Sequence, residues 1–244
     1  MQARGPAPLS RVARLAGLPP NKVHRYLVSL VRVGLAEQEG SSGLYNLGVA
    51  TRRLGIEALR RGDEVTIATK HTMALRDATL HTTNLSTWND AGPTIVRWDY
   101  GAFPLPITVR VGSTLPLVDS SVGRVFLAYL PRQLTTRVLR DQQRRGETSS
   151  PSSHELEEIL DGVRTRGVSI TSGGVIPGLS AIAAPVFGSG PGLLLVVGFA
   201  VPTRDLTAAS EKKLVSHLTA ATAELSWELG GDKPLGKSPH PQEG

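Results

Sequence analysis

The chain has 244 residues, is 40% hydrophobic, carries a net charge of +6 and contains no cysteine. A chain of this length and hydrophobic content can bury a core, which argues against a disordered protein. The lack of cysteine excludes disulfides, thiolate catalysis and cysteine-ligated metal sites. Because the longest apolar run, Leu193–Val201, has nine residues where a membrane-spanning helix needs roughly 20, and because the N-terminal residues do not resemble a secretory signal, we expect a cytoplasmic protein without a membrane segment.

The first elements predict a helix-turn-helix. Ser10 can cap a short helix over Arg11–Ala16, and Gly17 is the type of residue that ends one. Pro20 then suits the first turn of a second helix. The apolar residues that recur at helical spacing in this second helix, and that we expect to face the core, are Val23, Leu27 and Leu30.

A wing and a linker helix are expected next. The second helix should end at Gly34, and residues 35–39 and 44–47 read as two short strands around a flexible tip at 40–43. Val49–Arg61 then has the pattern of a connecting helix with exposed arginines. We place the boundary of the first domain at residue 62.

The rest of the chain predicts a sheet between helices. Apolar spacing marks helices near residues 65–75, 120–130, 132–141, 156–163 and 214–225. Strands are expected at His81–Trp88, Thr94–Tyr100, Ile107–Val111, Val168–Thr171, Ser180–Phe187 and Leu193–Val201. Strands at the centre with helices before and after them indicate an α+β sandwich, in which helices cover one mainly antiparallel sheet.

The positive charge is concentrated in the first quarter of the chain. Residues 1–62 hold ten Lys and Arg against three Glu, a net charge of +7, whereas the remaining 182 residues have a net charge of −1. A small basic module suits binding to a phosphate backbone, because affinity there comes from the release of condensed counterions. The alternative is a solubilising surface, since net charge also governs solubility.

The second helix of a helix-turn-helix reads DNA bases with its N-terminal residues. Arg25 can grip guanine with two hydrogen bonds, and Asn21 can read adenine or instead cap the helix. Lys22, Arg11 and Arg14 are better suited to phosphates. Each residue alone could also be part of a solvated helix face. The residues expected to contact DNA are Arg11, Arg14, Pro20, Asn21, Lys22, His24, Arg25 and Ser29.

Several segments resemble one family. Leu18–Leu27 and Leu30–Leu35 are similar to the DNA-binding domain of the IclR family of bacterial regulators. Val111–Leu117 and Ser121–Ala128 resemble the start of that family's effector pocket, and Pro177–Val186 resembles its most recognisable strand. The resemblance implies a GAF-like sensor domain, dimers that pair through their DNA-binding domains, and commonly tetramers built as pairs of dimers.

The expected architecture is therefore α+β, with an N-terminal winged helix-turn-helix joined by a linker helix to a GAF-like effector-binding domain. We assign residues 1–62 to the first domain, 63–231 to the second and 232–244 to a disordered tail rich in Pro, Gly and Lys.

One feature departs from the family. Its members have a further helix before the position of Ser10, and Gln2–Pro8 is too short and too rich in proline to form it. Either the true start lies upstream, which we favour because the rest of the domain keeps its pattern, or the DNA-binding domain is incomplete and exposes part of its core.

The resemblance also implies an effector pocket. By position its residues are Leu115, Ser121, Val122, Thr171, Leu179, Ala181, Gly198 and Ala200. Of these only Ser121 and Thr171 carry a hydroxyl, and none is charged. We therefore expect a roomy, weakly polar pocket for a small organic effector larger and less polar than pyruvate, such as an aromatic compound. The alternative is that the small residues pack against one another and no ligand binds.

The sequence thus predicts a DNA-binding transcriptional regulator of a catabolic operon, controlled by an effector and needing no cofactor. One alternative is a ligand sensor that has lost DNA binding. Another is a serine hydrolase, because Gly178-Leu179-Ser180 resembles a nucleophile motif, although Ile182 stands where that motif has glycine. The six histidines offer no close ligand pair for a metal. Trp88 and Trp98 could stack on a ligand or pack in the core.

Overall fold

A computed structural model describes residues 5–40, 42–54, 64–103, 105, 109–190 and 192–231. The chain divides into two compact units between Asp63 and Glu64. Both units combine helices with strands, which confirms the α+β class. Within the described ranges no helix has the length and apolar character to cross a membrane.

The first unit is a winged helix-turn-helix. Helices α1 (Leu9–Ala16) and α2 (Pro20–Arg32) are followed by the antiparallel strands β1 (Ala36–Gln38) and β2 (Tyr45–Leu47). Gly17 ends α1 in the left-handed conformation, with φ of 63°, which glycine adopts without steric cost.

Three details of this unit differ from the expectations. Ser10 does not cap α1, because the helix starts one residue earlier, after Pro8, with no side-chain cap bond. Asn21 does not cap α2 either, since Pro19 precedes that helix. Leu30 is 38% exposed instead of facing the core. The eight residues of α1 cover only the first turns of α2, where Val23 and Leu27 are buried.

A close backbone contact joins α2 to the end of the wing. A Cβ atom at Gly48 would lie 2.1 Å from the carbonyl oxygen of Gly34, so this position admits only glycine without a shift of the backbone. Gly34 itself has a φ of 73°. Residues 49–54 follow as a helix. The remainder of the predicted linker helix, residues 55–61, lies outside the described residues.

The second unit is built on one antiparallel sheet with strand order β4-β3-β7-β6-β5. Its strands are β3 (Thr82–Asn89), β4 (Gly92–Asp99), β5 (Ser169–Ser172), β6 (Leu179–Phe187) and β7 (Leu193–Pro202). Its helices are α3 (Glu64–Thr79), α4 (Ser121–Tyr129), α5 (Arg132–Arg144), α6 (Ser153–Arg166) and α7 (Ala208–Glu228).

Helices cover this antiparallel sheet as predicted, and they do so on both faces. Buried residues of α3 and α7 form one core with Ile182 and Phe199. Buried residues of α4 and α6 form a second core with Ala183 and Val196. The strand expected at Ile107–Val111 is wrong over its described part, because residues 109–111 belong to no strand. Residues 112–115 contact β4 instead, through backbone hydrogen bonds to Pro93 and Ile95.

Candidate functional site

The residues expected to contact DNA lie on the surface of the first unit. All eight are exposed. Within the described residues, the cations Arg11, Arg14, Lys22 and Arg25 take part in no salt bridge. Their charges are therefore available to phosphate groups, which is what electrostatic binding to nucleic acid needs.

Helix α2 presents a row of side chains at helical spacing. Asn21, Arg25, Val28 and Arg32 follow one another at intervals of four, three and four residues, on the side opposite the buried positions. Val28 and Arg32 belong to this row but were not among the residues predicted to contact DNA, although the same periodicity includes them. The hydroxyl of Ser29 donates a hydrogen bond to the carbonyl oxygen of Arg25 at 3.2 Å, so it is engaged within its own helix.

The wing is tied to the helix that follows it. The guanidinium of Arg52 donates two hydrogen bonds of 3.1 Å to the carboxylate of Glu37 and one of 2.5 Å to the carbonyl oxygen of Leu47. The hydrogen bond from Arg52 lowers the pKa of Glu37 below its ordinary value. Arg52 is thus neutralised by a partner in the wing, so the free positive charge of the described unit lies mainly on α1 and α2.

A small cavity in the second unit gathers most of the predicted effector residues. Its volume is about 60 Å³. Seven of the eight predicted positions line it: Leu115, Ser121, Val122, Thr171, Leu179, Ala181 and Ala200. Gly198 is not part of the lining. A Cβ atom there would lie 3.1 Å from Nδ2 of Asn84, so Gly198 makes room for the Asn84 amide instead.

The strand register explains this placement. Thr171, Ala181 and Ala200 pair directly across β5, β6 and β7. Asn84 on β3 pairs with Trp98 on one side and with Gly198 on the other. Directly paired residues of antiparallel strands share a face, so the small side chains leave space that Asn84 and Trp98 border.

The cavity is smaller than the sequence predicted, and residues with polar side chains line it beyond the predicted set. Asn84, Trp98, Ser120 and Ser180 line it as well, because the sheet and the start of α4 bring distant strands together, and the sequence alone gave no register. Further apolar residues at the cavity that the sequence did not predict are Ile95, Val109, Val175 and Ile176; Phe199 also borders it, although it belongs to the core on the other face of the sheet. None of the described lining residues is ionisable.

Two of the added hydroxyls already have partners. Ser120 caps α4, since its Oγ accepts a hydrogen bond from the Gly123 amide at 2.8 Å and donates one to the Pro116 carbonyl at 2.6 Å. Oγ of Ser180 lies 2.8 Å from the Ser172 hydroxyl and 3.0 Å from the Thr203 hydroxyl. Ser180 lies inside β6 and has no general base among these partners, which argues against the hydrolase alternative.

The segment that carries Leu115 is fixed by a buried glutamine. Oε1 of Gln142 accepts a hydrogen bond from the Leu117 amide at 2.8 Å, and Nε2 donates one to the Leu115 carbonyl at 3.1 Å. Thr148 continues this support by accepting a bond of 2.9 Å from the Val118 amide. One wall of the cavity is therefore held by side chains that do not line it.

Comparison with known proteins agrees with both units. A family model described as the IclR helix-turn-helix domain matches residues 1–40, and one described as the bacterial transcriptional regulator IclR C-terminal matches residues 56–227. The crystal structure of Pseudomonas aeruginosa HmgR has 33% sequence identity and a TM-score of 0.83, covering 94% of this chain and 93% of that chain.

Curated relatives are regulators too. The chain is 27% identical to the DNA-binding transcriptional repressor YiaJ of Escherichia coli (strain K12), over 91% of this chain and 81% of that protein. It is 26% identical to the glycerol operon regulatory protein of Streptomyces griseus, over 92% of this chain and 89% of that protein. These matches identify a regulator and not an enzyme, and the chain belongs to the IclR family of DNA-binding bacterial transcriptional regulators.

Proposed function

We propose that this regulator recognises a specific operator by placing α2 in the major groove of DNA, and that an effector bound in the cavity controls it. The observation that carries the proposal is the exposed row of Asn21, Arg25 and Arg32 on α2, whose first turn also presents Lys22. Recognition helices read base edges with such residues. A dimer, with one such helix in each protomer, would read a partly palindromic site.

The regulated genes are proposed to form a catabolic operon. The name of the Streptomyces griseus relative, a glycerol operon regulatory protein, supports this class of target.

The effector is proposed to be less polar than pyruvate. No ionisable side chain lines the described cavity, and a buried carboxylate without a charged partner costs on the order of 1–3 kcal/mol for each unmet hydrogen bond. A benzene ring fits a cavity of about 150 Å³, so an aromatic effector requires the exposed turn at 173–178 to move outward. Calorimetry with pyruvate beside the uncharged aromatic compounds toluene and phenol tests this ranking, and tighter binding of pyruvate would contradict it.

The DNA proposal is tested by mobility shifts with the DNA upstream of the protein's own gene. Arg25→Ala should weaken specific binding by about 5- to 150-fold, the equivalent of 1–3 kcal/mol for a lost bidentate base contact. Lys22→Ala should weaken binding to all sequences more evenly. The matched control is Arg204→Ala, which removes an arginine that is 85% exposed in the second unit and should leave binding unchanged.

Two results would contradict the proposal in different ways. If Arg25→Ala and Lys22→Ala both bind like the wild type, α2 is not the reading element. If the wild type binds no DNA, the ligand sensor without DNA binding is the better description.

A further inference from the structure

Four buried polar atoms of the described residues have no hydrogen-bond partner: Oδ1 of Asn84, Oγ of Ser86, Nε1 of Trp98 and Oγ of Ser169. All four belong to one face of the sheet. Asn84 pairs directly with Trp98 and Gly198, Ser86 follows two residues later on the same strand, and Ser169 ends the row that runs from Gly198 across β6. Since unsatisfied buried groups destabilise a fold, their concentration on the cavity face needs a cause.

Two of the four atoms belong to residues that line the cavity. Asn84 and Trp98 both line it, and Asn84 is only 6% exposed. Oδ1 of Asn84 is an acceptor and Nε1–H of Trp98 is a donor. Directly paired residues have Cβ atoms about 5 Å apart, so the two side chains belong to the same part of the cavity lining.

The chemistry of this pair selects the ligand group. A hydroxyl both donates and accepts, so it satisfies Asn84 and Trp98 together. A carbonyl would serve Trp98 alone, and an ammonium would serve Asn84 alone. A carboxylate accepts only and would also bring a charge that no described lining residue balances.

We propose that the cavity binds an uncharged compound through a hydroxyl that donates to Oδ1 of Asn84 and accepts from Nε1–H of Trp98. This proposal rests on the effector control proposed above. The absence of a side chain at Gly198 leaves the space in which the Asn84 amide lies, because a Cβ there would approach both amide atoms to within 3.2 Å. The hydroxyl can belong to an aromatic or to an aliphatic compound.

Indole N–H signals in proton–nitrogen NMR spectra test the proposal on the full chain. The protein has three tryptophans, so three signals are expected, and Trp98→Phe identifies the one of interest. Phenol and glycerol are titrated as aromatic and aliphatic hydroxyl probes, toluene as the match for phenol without a hydroxyl, and pyruvate as the anion. We expect phenol or glycerol to move the Trp98 signal downfield with saturation, and whichever does so identifies the source of the hydroxyl. The proposal is overturned if neither does, or if toluene or pyruvate has the same effect.

A pair of variants separates ligand binding from a structural role. Asn84→Leu removes the unpaired amide at similar volume and should weaken the bound hydroxyl probe by on the order of 10-fold, with an unfolding midpoint equal to or above that of the wild type. Ser86→Ala removes another unpaired atom of the same face outside the cavity lining and should leave the affinity unchanged. A lowered midpoint with unchanged affinity in Asn84→Leu would mean that Asn84 is structural.

Failure here is distinguishable from failure of the proposed function. Operator binding by the ligand-free wild type is measured separately by mobility shift. A protein that binds its operator but neither hydroxyl probe refutes only the ligand assignment.

Discussion

Replacing the buried Gln142 by leucine should loosen the cavity wall. Gln142 is 2% exposed and holds the amide of Leu117 and the carbonyl of Leu115. Leucine has a similar volume, so the substitution opens little space, but it leaves both backbone groups buried without partners. Leu115 would then lose the support that places it in the cavity lining.

The magnitude follows from the two lost hydrogen bonds. A buried donor or acceptor left unsatisfied costs about 1–3 kcal/mol, so the two together predict a loss of roughly 2–6 kcal/mol in the free energy of unfolding. For a domain of this size, each kcal/mol lowers the melting temperature by about 2–4 °C. A decrease of roughly 4–24 °C is therefore expected for Gln142→Leu.

Urea unfolding followed by tryptophan fluorescence reports on the second structural unit, which contains Gln142. All three tryptophans, Trp88, Trp98 and Trp227, lie in that unit. The matched control is Gln143→Leu, the neighbouring residue of α5, whose Nε2 makes one exposed bond of 3.4 Å to the Ser149 carbonyl. This control should change the unfolding free energy by less than about 0.5 kcal/mol. Equal stabilities for the two variants would refute the role assigned to Gln142.

Three further outcomes are expected. Gly48→Ala should destabilise the winged helix-turn-helix by about 1–3 kcal/mol or more, seen as weaker operator binding and earlier thermal unfolding, because its Cβ would overlap the Gly34 carbonyl; an unaffected variant would show that the backbone contact can relax. Ser152→Ala should remove the capping box of α6 and cost about 0.5–2 kcal/mol in urea unfolding, whereas no change would mean that the cap is replaced. The hydrogen bond from Arg52 lowers the pKa of Glu37 in the folded state below the ordinary value of 4.5. The pair therefore stabilises the fold at pH values above 4.5, and this contribution is lost as the pH falls through the lowered pKa. The melting temperature of Glu37→Gln should depend less on pH in that acid range than that of the wild type, and an equal pH dependence would contradict the pairing.

Local pattern and family resemblance predicted most of the fold. The order of helices and strands follows from apolar spacing, and Gly17 and Pro20 mark helix ends by the backbone angles that they favour. Leu30 was misplaced because helical spacing indicates a direction but not the length of the neighbouring helix that would cover it. Residues 109–111 were misassigned because a short apolar run does not show whether a neighbouring strand is available.

The cavity was predicted only in part. Resemblance located seven of its residues, because those positions can be read along the chain. Asn84 was not included, and Trp98 was named only as a residue that could stack on a ligand, since their place beside Gly198 depends on how the β3–β4 hairpin pairs with β7, which is far from it in sequence. That Oδ1 of Asn84 and Nε1 of Trp98 have no hydrogen-bond partner is likewise known only from the packing around them.

The bonds from Arg52 to Glu37 and Leu47, together with the contact of Gly48 on Gly34, have a mechanical consequence. These contacts link the helix at 49–54, both strands of the wing and the end of α2, so that we expect these elements to move together. A rotation of that helix should turn α2 and the wing together, because neither can move alone without breaking a charged hydrogen bond or a backbone contact. We therefore expect mutations that break these bonds to change the positions of α2 and the wing relative to each other.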